Sequence, residues 1–330
     1  MHKRRHIFSQ DLEKSIQSYI DELRKLINEK LRSLVSKIPY PNIRSQIGYA
    51  LLSRGKRLRP IITILSAQSV GGDRESVIPL ALAFEILHTS TLVHDDIIDE
   101  DKTRRGLPTL HEKWSRDAAI LVGDALIAIA IGIVAEYGPR IIKLASAYGV
   151  QLCSGELLDI SLSLSDMSEE EYFTKIRRKS ASLFRASAEC GAIAGGGSES
   201  EVASLANFGE HYGIAYQLKD DLEDLIAPEN TLLDMRSGRA TLPLIYLYQH
   251  GSGHVKKLLD EYFGKRNLPE SVIKEILTEL RNAGAIGYCS EKIMENVNIA
   301  CKSLSTLKES QFKNCLIYMA NLIKPKGSIG

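Results

Sequence analysis

Two clusters of carboxylates are the residues of this sequence whose type and spacing could do chemistry. The first runs from Asp95 to Asp101 and the second from Asp220 to Asp224, and both contain the pattern D-D-x-x-D. On a helix, carboxylates four residues apart project from the same face, one turn from each other. Each cluster follows a long apolar segment. Like charges held together beside a protein interior are unfavourable unless cations neutralise them.

The ligand type in these clusters indicates which cation they would bind. Oxygen ligands without a Cys-rich or His-rich set favour Mg²⁺ over zinc, and Mg²⁺ is typically shared between one or two carboxylates and substrate phosphates. The clusters therefore predict a diphosphate held between two acidic helix ends by bridging Mg²⁺. The alternative is that each cluster is a solvated acidic helix end. The same spacing in two clusters, each after an apolar helix, argues against that alternative.

Cationic residues that could bind the phosphates lie near these clusters in the sequence. The segment from Arg54 to Arg59 puts four cations in six residues around a glycine, which allows the backbone to approach an anion closely. Arg104 and Arg105 follow the first cluster, and arginine offers planar, bidentate donors to phosphate; plain salt bridging is the alternative for this pair. His88 lies two helical turns before Asp95 and shares its face, although a lone histidine is more often structural.

Helical periodicity predicts the elements that must position these residues. Apolar residues recur at three- and four-residue steps along nearly the whole chain, which is typical of amphipathic helices. The predicted helices span residues 9–38, 77–98, 117–135, 140–164, 169–191, 201–226, 242–250, 270–283 and 286–307. Ser198 and Glu201 predict a capping box.

The fold class expected from this pattern is all-α. We expect one large helical bundle forming a single domain over residues 1–330, with an N-terminal helix within 1–40 and a disordered tail at 324–330. The segment 118–135 is the most apolar, so we expect it to be buried on most sides at the centre of the bundle. Its uninterrupted apolar run is too short to span a membrane, so no transmembrane segment is expected.

Composition excludes some classes of protein. The chain of 330 residues has 42 Lys and Arg against 41 Asp and Glu, and this balance argues against nucleic-acid binding. Its five cysteines are odd in number and form no C-x-x-C pair, which favours a reducing compartment over a disulfide framework. No apolar stretch follows the basic N-terminus, so secretion is not expected. A cytoplasmic location follows.

Together these residues resemble the trans-isoprenyl diphosphate synthases of the polyprenyl synthetase family, and among them those that make geranylgeranyl or longer products. The resemblance extends from about residue 43 to residue 307, with the motifs in the family's order. The matching segments are Gly55–Pro60, His88–Asp99, Arg104–Thr109, Gly123–Asp124, Gly155–Glu156, Gln217–Asp224 and Gly238–Pro243.

The resemblance implies a helical fold around a central cavity and, as is usual in the family, a homodimer. It implies a Mg²⁺-dependent prenyltransferase that condenses isopentenyl diphosphate head-to-tail with dimethylallyl, geranyl, farnesyl or geranylgeranyl diphosphate, releasing diphosphate. For the metals, it assigns two Mg²⁺ to Asp95 and Asp99 and a third to Asp220, with Asp221 and Asp224 supporting.

The resemblance also assigns the substrate-binding residues. Arg104 and Lys179 would hold the allylic diphosphate, and Gln217 and Ser180 would face the developing carbocation. The residues assigned to isopentenyl diphosphate are Gly55, Lys56, Arg59, His88 and Arg105. Arg239 is a further substrate-binding cation. The residues with catalytic roles are Asp95, Asp99, Arg104, Lys179, Gln217 and Asp220.

The sequence departs from the family pattern at three places. Ser180 stands where Thr is usual, and Arg239 stands where Lys is usual. The segment 227–233 lacks the Gly-Lys that commonly follows the second cluster. This last departure leaves open a slower enzyme or a weakly active regulatory subunit of a heteromeric synthase. A class I terpene cyclase is a further alternative, but a second D-D-x-x-D argues against it.

Product length should depend on the helix that ends at the first cluster. In short-product members an aromatic residue closes the cavity five residues before the first aspartate, and here that residue is Ser90. Further back on this face lie Ile86, Leu87 and Ala83. We therefore expect a product of geranylgeranyl length or longer. The alternative is that Ser90 only packs against a neighbouring helix.

Overall fold

A computed structural model describes residues 8–161, 163–226 and 232–325. Within these ranges the chain is built from α-helices, and the all-α prediction is confirmed. The helices are α1 Gln10–Ser36, α2 Pro41–Leu51, α3 Leu58–Ser69, α4 Arg74–Ile98, α5 Leu110–Lys113, α6 Arg116–Ala135, α7 Gly138–Ser161, α8 Glu169–Ile176, α9 Ser182–Ala194, α10 Glu199–Ile226, α11 Leu233–Arg236, α12 Leu242–His250, α13 Gly253–Tyr262, α14 Glu270–Asn282, α15 Ala285–Ser303 and α16 Gln311–Asn321.

Three short elements complete the described chain. A π-helical turn, Arg177–Ala181, separates α8 from α9, and a 3₁₀ turn, Leu304–Thr306, follows α15. The antiparallel strands β1 Thr103–Arg104 and β2 Leu107–Pro108 form a small ribbon directly after the first acidic cluster.

Most predicted helices lie where the periodicity placed them, and the differences have physical causes. The single helix predicted over 169–191 is wrong in one respect, because the π turn interrupts it. No predicted range covers helix α3, nine of whose twelve residues are buried. The capping box of α10 is confirmed, with Ser198 N donating to Glu201 Oε2 at 2.8 Å and Glu201 N donating to Ser198 Oγ at 3.4 Å.

The inner part of the bundle is formed by α3, α4, α9 and α10. Helix α4 packs against α3, α6 and α9, while α10 packs against α9 and α15. The acidic clusters lie at the C-terminal ends of α4 and α10. The core therefore holds the two helices whose ends carry the predicted metal ligands.

Helix α6 is not buried on most sides, so that expectation is wrong. In the most apolar 18-residue window, 67% of α4 is buried but only 33% of α6. These are the two described helices that are long and apolar enough, by length and composition, to cross a membrane. The apolar side chains that α6 and the adjacent α7 expose will be called the α6–α7 face: Ile120, Leu121, Ile131, Val150, Leu157 and Ile160.

The expected burial of α6 is wrong because the sequence shows how apolar a helix is but not which residues cover it. One side of α6 packs on α4, whereas Ile120, Leu121 and Ile131 have no cover within the described chain. Exposed apolar patches are typical of interaction surfaces. Of the predicted tail, Lys324 and Pro325 are described and residues 326–330 lie outside the described residues.

Candidate active site

The two acidic helix ends face each other across a polar cavity of about 470 Å³, here called the carboxylate cavity. Helix α4 contributes Asp95 and its C-cap residue Asp99, whose N–H donates to the Asp95 carbonyl at 2.8 Å. Helix α10 contributes Asp220, Asp221 and Asp224. The structure thus brings all five predicted metal ligands to one cavity.

Asp96 of the same D-D-x-x-D pattern points elsewhere. It is buried and forms an ion pair with Arg104 Nε. Arg104 also reaches Asp101 at 3.3 Å, so the salt-bridge alternative for this arginine is observed. Because Arg104 also lines the carboxylate cavity, the pairs fix its position beside the cavity.

Crowding and burial make the carboxylates hard to ionise. Burial and the nearby Glu156 raise the pKa of Asp95 to about 7, although Lys179 partly offsets them. Burial also raises the pKa of Asp220 to about 7, against the effect of Lys56. A carboxyl group whose pKa is raised this far is stabilised in its ionised form when a metal cation takes the place of the proton.

The carboxyl of Asp221 belongs to a hydrogen-bond chain. Burial raises its pKa, while hydrogen bonds from Tyr172 and Gln217 lower it. The Tyr172 hydroxyl donates to Oδ2 and Gln217 Nε2 donates to Oδ1, both at 2.6 Å. Ser180 Oγ in turn donates to Gln217 Oε1 at 2.6 Å. These hydrogen bonds fix the side-chain amide of Gln217 with its oxygen beside Ser180.

The donor set fits Mg²⁺ that is shared with a substrate. The five cavity ligands offer carboxylate oxygens alone, the type that Mg²⁺ prefers. Among the described residues no three Asp, Glu, His or Cys side chains converge closely enough to hold a metal ion by themselves. A site of this kind requires further oxygens from phosphate and water, as Mg²⁺ sites usually do.

A second polar cavity of about 570 Å³, the cationic cavity, adjoins the first and shares Asp95 and Asp220 with it. It collects every residue that the resemblance assigned to isopentenyl diphosphate, together with Lys179, Ser180 and Gln217. These lining residues are Gly55, Lys56, Arg59, His88, Arg105, Lys179, Ser180 and Gln217, and Arg104 lines the same cavity.

Arg57, one of the four cations in the segment 54–59, holds this segment in place. Its φ of 53° is left-handed, and its side chain is buried. Nη1 lies 2.5 Å from Glu85 Oε1, and Nε donates to Asn28 Oδ1 at 3.0 Å. Nη2 donates to the carbonyls of Leu51 and Ser53 at 2.9 and 2.7 Å. One guanidinium therefore joins α1, α4 and the end of α2 at the start of α3.

Two neighbouring residues of this cavity have altered protonation. Burial lowers the pKa of Arg59 to about 10, and its guanidinium carbon lies 4.1 Å from the centre of the Phe184 ring. Burial, together with the charges of Arg59 and Arg105, lowers the pKa of His88 well below its usual range. His88 is therefore neutral at physiological pH and can contribute hydrogen bonds but not charge.

The π turn presents Lys179 and Ser180 to the site. Helix α7 crosses this turn at Gly155, where a Cβ atom would lie 2.3 Å from the Lys179 backbone nitrogen. Lys179 Nζ lies 2.5 Å from Asp159 Oδ2 and 2.8 Å from Glu156 Oε2. π turns are frequent at functional sites, and here the absence of a side chain at residue 155 makes the close approach possible.

Arg239 links the two sides of the carboxylate cavity. It forms an ion pair with Asp99 at the end of α4, and its Nη1 lies 3.9 Å from Asp234 Oδ1. Burial would lower the pKa of Arg239, but Asp99 and Asp234 outweigh it and raise the pKa. The segment 227–233 lacks the Gly-Lys pair that is common in the family. Residues 227–231 of this segment lie outside the described residues.

Sequence reasoning assigned no role to four charged residues in or beside the carboxylate cavity. Asp159 and Lys175 form a buried ion pair at 2.8 Å, Glu156 contacts Lys179, and burial raises the pKa of Asp234 to about 8. One signal was available, because Glu156 and Asp159 are three residues apart and Lys175 and Lys179 are four apart. Those spacings put each pair on one helix face.

An apolar cavity of about 920 Å³ adjoins the other two. It shares Thr91, Asp95, Leu152 and Leu183 with the cationic cavity and Asp95 with the carboxylate cavity. Leu87 and Ser90 line it from α4. Ile86 and Ala83 are fully buried and do not belong to its described lining. They could affect the cavity only through the packing of α4.

Comparison with known proteins gives a consistent result. The sequence model described as polyprenyl synthetase matches residues 41–280. The chain is 32% identical to the short chain isoprenyl diphosphate synthase of Methanothermobacter thermautotrophicus, over 92% of this chain and 97% of that one. It is 31% identical to the octaprenyl diphosphate synthase of Haemophilus influenzae, over 92% and 96%.

A similar solved structure is that of geranylgeranyl pyrophosphate synthetase from Pyrococcus horikoshii. It has a TM-score of 0.87 and 32% identity, covering 96% of this chain and 99% of that one.

The affinity of the protein for Mg²⁺ should increase with pH. The pKa values of Asp95 and Asp220 are both about 7, so both carboxyls are mainly protonated below that pH and ionised above it. Mg²⁺ binds the ionised form, and binding below neutral pH should therefore release protons. Calorimetric Mg²⁺ titrations at about pH 6 and about pH 8, in buffers of different ionisation enthalpy, measure both effects.

Asp101, which does not line the carboxylate cavity, provides the control for this experiment. Asp101→Asn should keep the pH dependence, whereas Asp95→Asn should reduce it. An affinity that does not change between the two pH values would contradict the prediction.

Proposed function

Because the chain belongs to the polyprenyl synthetase family and is a trans-isoprenyl diphosphate synthase, we propose that it condenses isopentenyl diphosphate head-to-tail with an allylic diphosphate in a Mg²⁺-dependent reaction. The supporting observation is that three cavities meet at Asp95. The carboxylate, cationic and apolar cavities all include this residue. A diphosphate bound there has metal ligands on one side, arginine and lysine on another, and an apolar space for its prenyl chain.

The residues divide into two diphosphate sites. Lys179 and Arg104 would bind the allylic diphosphate at the carboxylate cavity. Isopentenyl diphosphate would lie in the cationic cavity, held by Lys56, Arg59, His88 and Arg105, with the backbone at Gly55 close to its phosphates. Arg239 would add charge to the allylic side when Asp99 turns to the metal.

Metal ions would be held by Asp95 and Asp99 on one side and by Asp220, with Asp221 and Asp224, on the other. Three Mg²⁺ bound there would neutralise the allylic diphosphate and stabilise pyrophosphate as a leaving group. The number of ions is what the family resemblance implies.

The reaction breaks the allylic C–O bond and one C–H bond of isopentenyl diphosphate. It forms one C–C bond and one O–H bond, and the electron pair of the C–H bond becomes the new double bond. The allylic C–O bond breaks, and its electron pair leaves with pyrophosphate. The double bond of isopentenyl diphosphate then forms the new C–C bond, and the released pyrophosphate accepts the proton that is lost. The amide oxygen of Gln217 and the hydroxyl of Ser180, held together at 2.6 Å, would face the cation and stabilise its charge.

The apolar cavity would hold the growing chain and exclude water, which would otherwise react with the cation. Its volume of about 920 Å³ is consistent with a product of geranylgeranyl length or longer. Names of the relatives range from short chain isoprenyl to octaprenyl diphosphate synthase.

We further propose that the chain acts as a single domain in a cytoplasmic homodimer, with neither nucleic acid nor a transmembrane segment involved. Ile131, Val150, Leu157 and Ile160 are exposed on the α6–α7 face and also line the apolar cavity. A second copy covering this face would bury these side chains and complete the cavity wall. The five free thiols suit a reducing cytoplasm.

Purified protein should elongate an allylic primer when supplied with Mg²⁺ and radiolabelled isopentenyl diphosphate. We expect a diphosphate product longer than the primer, and EDTA should abolish it. Hydrocarbon products would instead indicate a terpene cyclase. Absence of any product with dimethylallyl, geranyl, farnesyl and geranylgeranyl primers would indicate a regulatory subunit and contradict the proposal.

Ser90→Phe should shorten the product, because the aromatic ring would fill the apolar cavity next to the first aspartate cluster. Reverse-phase chromatography of the dephosphorylated products gives the length distribution. Ser90→Ala, which removes the hydroxyl without adding bulk, should leave that distribution unchanged. An active Ser90→Phe enzyme with wild-type product lengths would contradict a role for this position.

Leu121→Glu should convert the dimer into monomers, because Leu121 is 64% exposed on the α6–α7 face and a charge there opposes burial. Light scattering after size-exclusion chromatography measures the mass. Leu322→Glu is the matched control, since Leu322 is 56% exposed elsewhere on the chain. A wild-type protein that is monomeric, or a Leu121→Glu protein that is still dimeric, would contradict this interface.

A further inference from the structure

We propose that Lys175, a buried lysine with no part in the reaction described above, is a positioning residue that acts through Asp159 to keep the charge of Lys179 available to the allylic diphosphate. The inference rests on the proposed role of Lys179 at that diphosphate.

The contacts place both lysines on one carboxylate. Lys175 lies in the last turn of α8, and its side chain is only 6% exposed. Its Nζ donates to Asp159 Oδ1 at 2.8 Å, while Lys179 Nζ donates to Oδ2 of the same side chain at 2.5 Å. Asp159 thus bridges two ammonium groups that lie four residues apart in the sequence.

The charges explain why the second lysine matters. Burial would raise the pKa of Asp159, but Lys175 and Lys179 outweigh it and hold the pKa well below its usual range. Asp159 is therefore ionised, and Glu156 is a second carboxylate in contact with Lys179. Two carboxylates face two ammonium groups. Without Lys175 the same two carboxylates would share Lys179 alone, and its charge would be neutralised by the protein instead of by phosphate.

A second contact connects Lys175 to the opposite side of the carboxylate cavity. Its Nζ also donates to the Ala240 carbonyl at 2.8 Å. Ala240 follows Arg239, which pairs with Asp99. Lys175 also lines the carboxylate cavity, together with Asp221 and Asp234. The ammonium of Lys175 therefore lies between Asp159 and the backbone that follows Arg239.

The chain contains a matched buried lysine for comparison. Lys313 on α16 is 7% exposed at its side chain and donates to the Leu307 carbonyl at 3.1 Å and to Glu309 Oε1 at 2.6 Å. Like Lys175 it has one carbonyl and one carboxylate partner, but it lines none of the three cavities. Substituting it measures the cost of removing a buried lysine without any effect on the site.

The experiment compares Lys175→Met with Lys313→Met in the full-length protein. Calorimetry measures the binding of geranyl S-thiolodiphosphate, an unreactive allylic analogue, and steady-state assays give KM for each substrate. We expect the affinity for the analogue to fall about tenfold in Lys175→Met, with KM for isopentenyl diphosphate changed less than about twofold. Lys313→Met should alter neither quantity, although both variants should have a lower Tm.

A double-mutant cycle tests the route through Asp159. In an Asp159→Asn background, where the carboxylate charge that Lys175 neutralises is absent, Lys175→Met should change the affinity less than about twofold. Additive effects would overturn the proposal, as would an equal rise in KM for both substrates or an unchanged affinity for the analogue. If Lys175→Met does not fold, Lys175→Gln, which keeps a donor but lacks the charge, is judged by the same outcomes.

Lys179→Met separates this inference from the proposed function. If Lys179→Met leaves binding of the analogue unchanged, the assignment of Lys179 to the allylic diphosphate is wrong. If Lys179→Met weakens binding and Lys175→Met does not, only the inference about Lys175 fails.

Discussion

Mutual repulsion among buried carboxylates is the constraint on which the rest of this structure depends. Five aspartates from the ends of α4 and α10 line one cavity, and in a low dielectric such a group is unstable without nearby positive charge. The chain supplies part of that charge itself. Arg239 pairs with Asp99, Lys56 lies near Asp220, and Lys175 with Lys179 neutralises Asp159. The remaining imbalance favours binding of metal ions and of the substrate that shares them.

The same constraint explains the boundary between polar and apolar parts of the site. Helix α4 supplies Asp95 and Asp99 to the carboxylate cavity and, from earlier turns of the same helix, Ser90 and Leu87 to the apolar cavity. A single helix therefore aligns the reacting end of a substrate with the space for its chain. The bundle holds α4 by packing it against α3, α6 and α9.

The acidic helix ends could be predicted from the sequence, because two carboxylate clusters with the same helical spacing, each after an apolar run, are typical of paired metal-binding helix ends. Most helices could also be placed within a few residues. The sequence did not reveal that Asp96 faces Arg104 and not the cavity, since adjacent residues on a helix point in different directions that depend on packing. Nor did it distinguish Arg57, which is enclosed by carbonyls and Glu85, from the neighbouring cations that line a cavity. The exposure of α6 could not be predicted because composition does not say which apolar faces meet within one chain.

The π turn at Arg177–Ala181 has a consequence for how this chain can change. One residue of an α-helix corresponds to a rotation of about 100°, and the π turn accommodates an extra residue between α8 and α9. Deleting a residue there would restore a regular helix, but it would also rotate Lys175 and Tyr172 away from their partners relative to α9. Insertions and deletions in this segment therefore cannot be neutral, whereas point substitutions on its outer side can be. The site fixes the length of this segment to within a single residue.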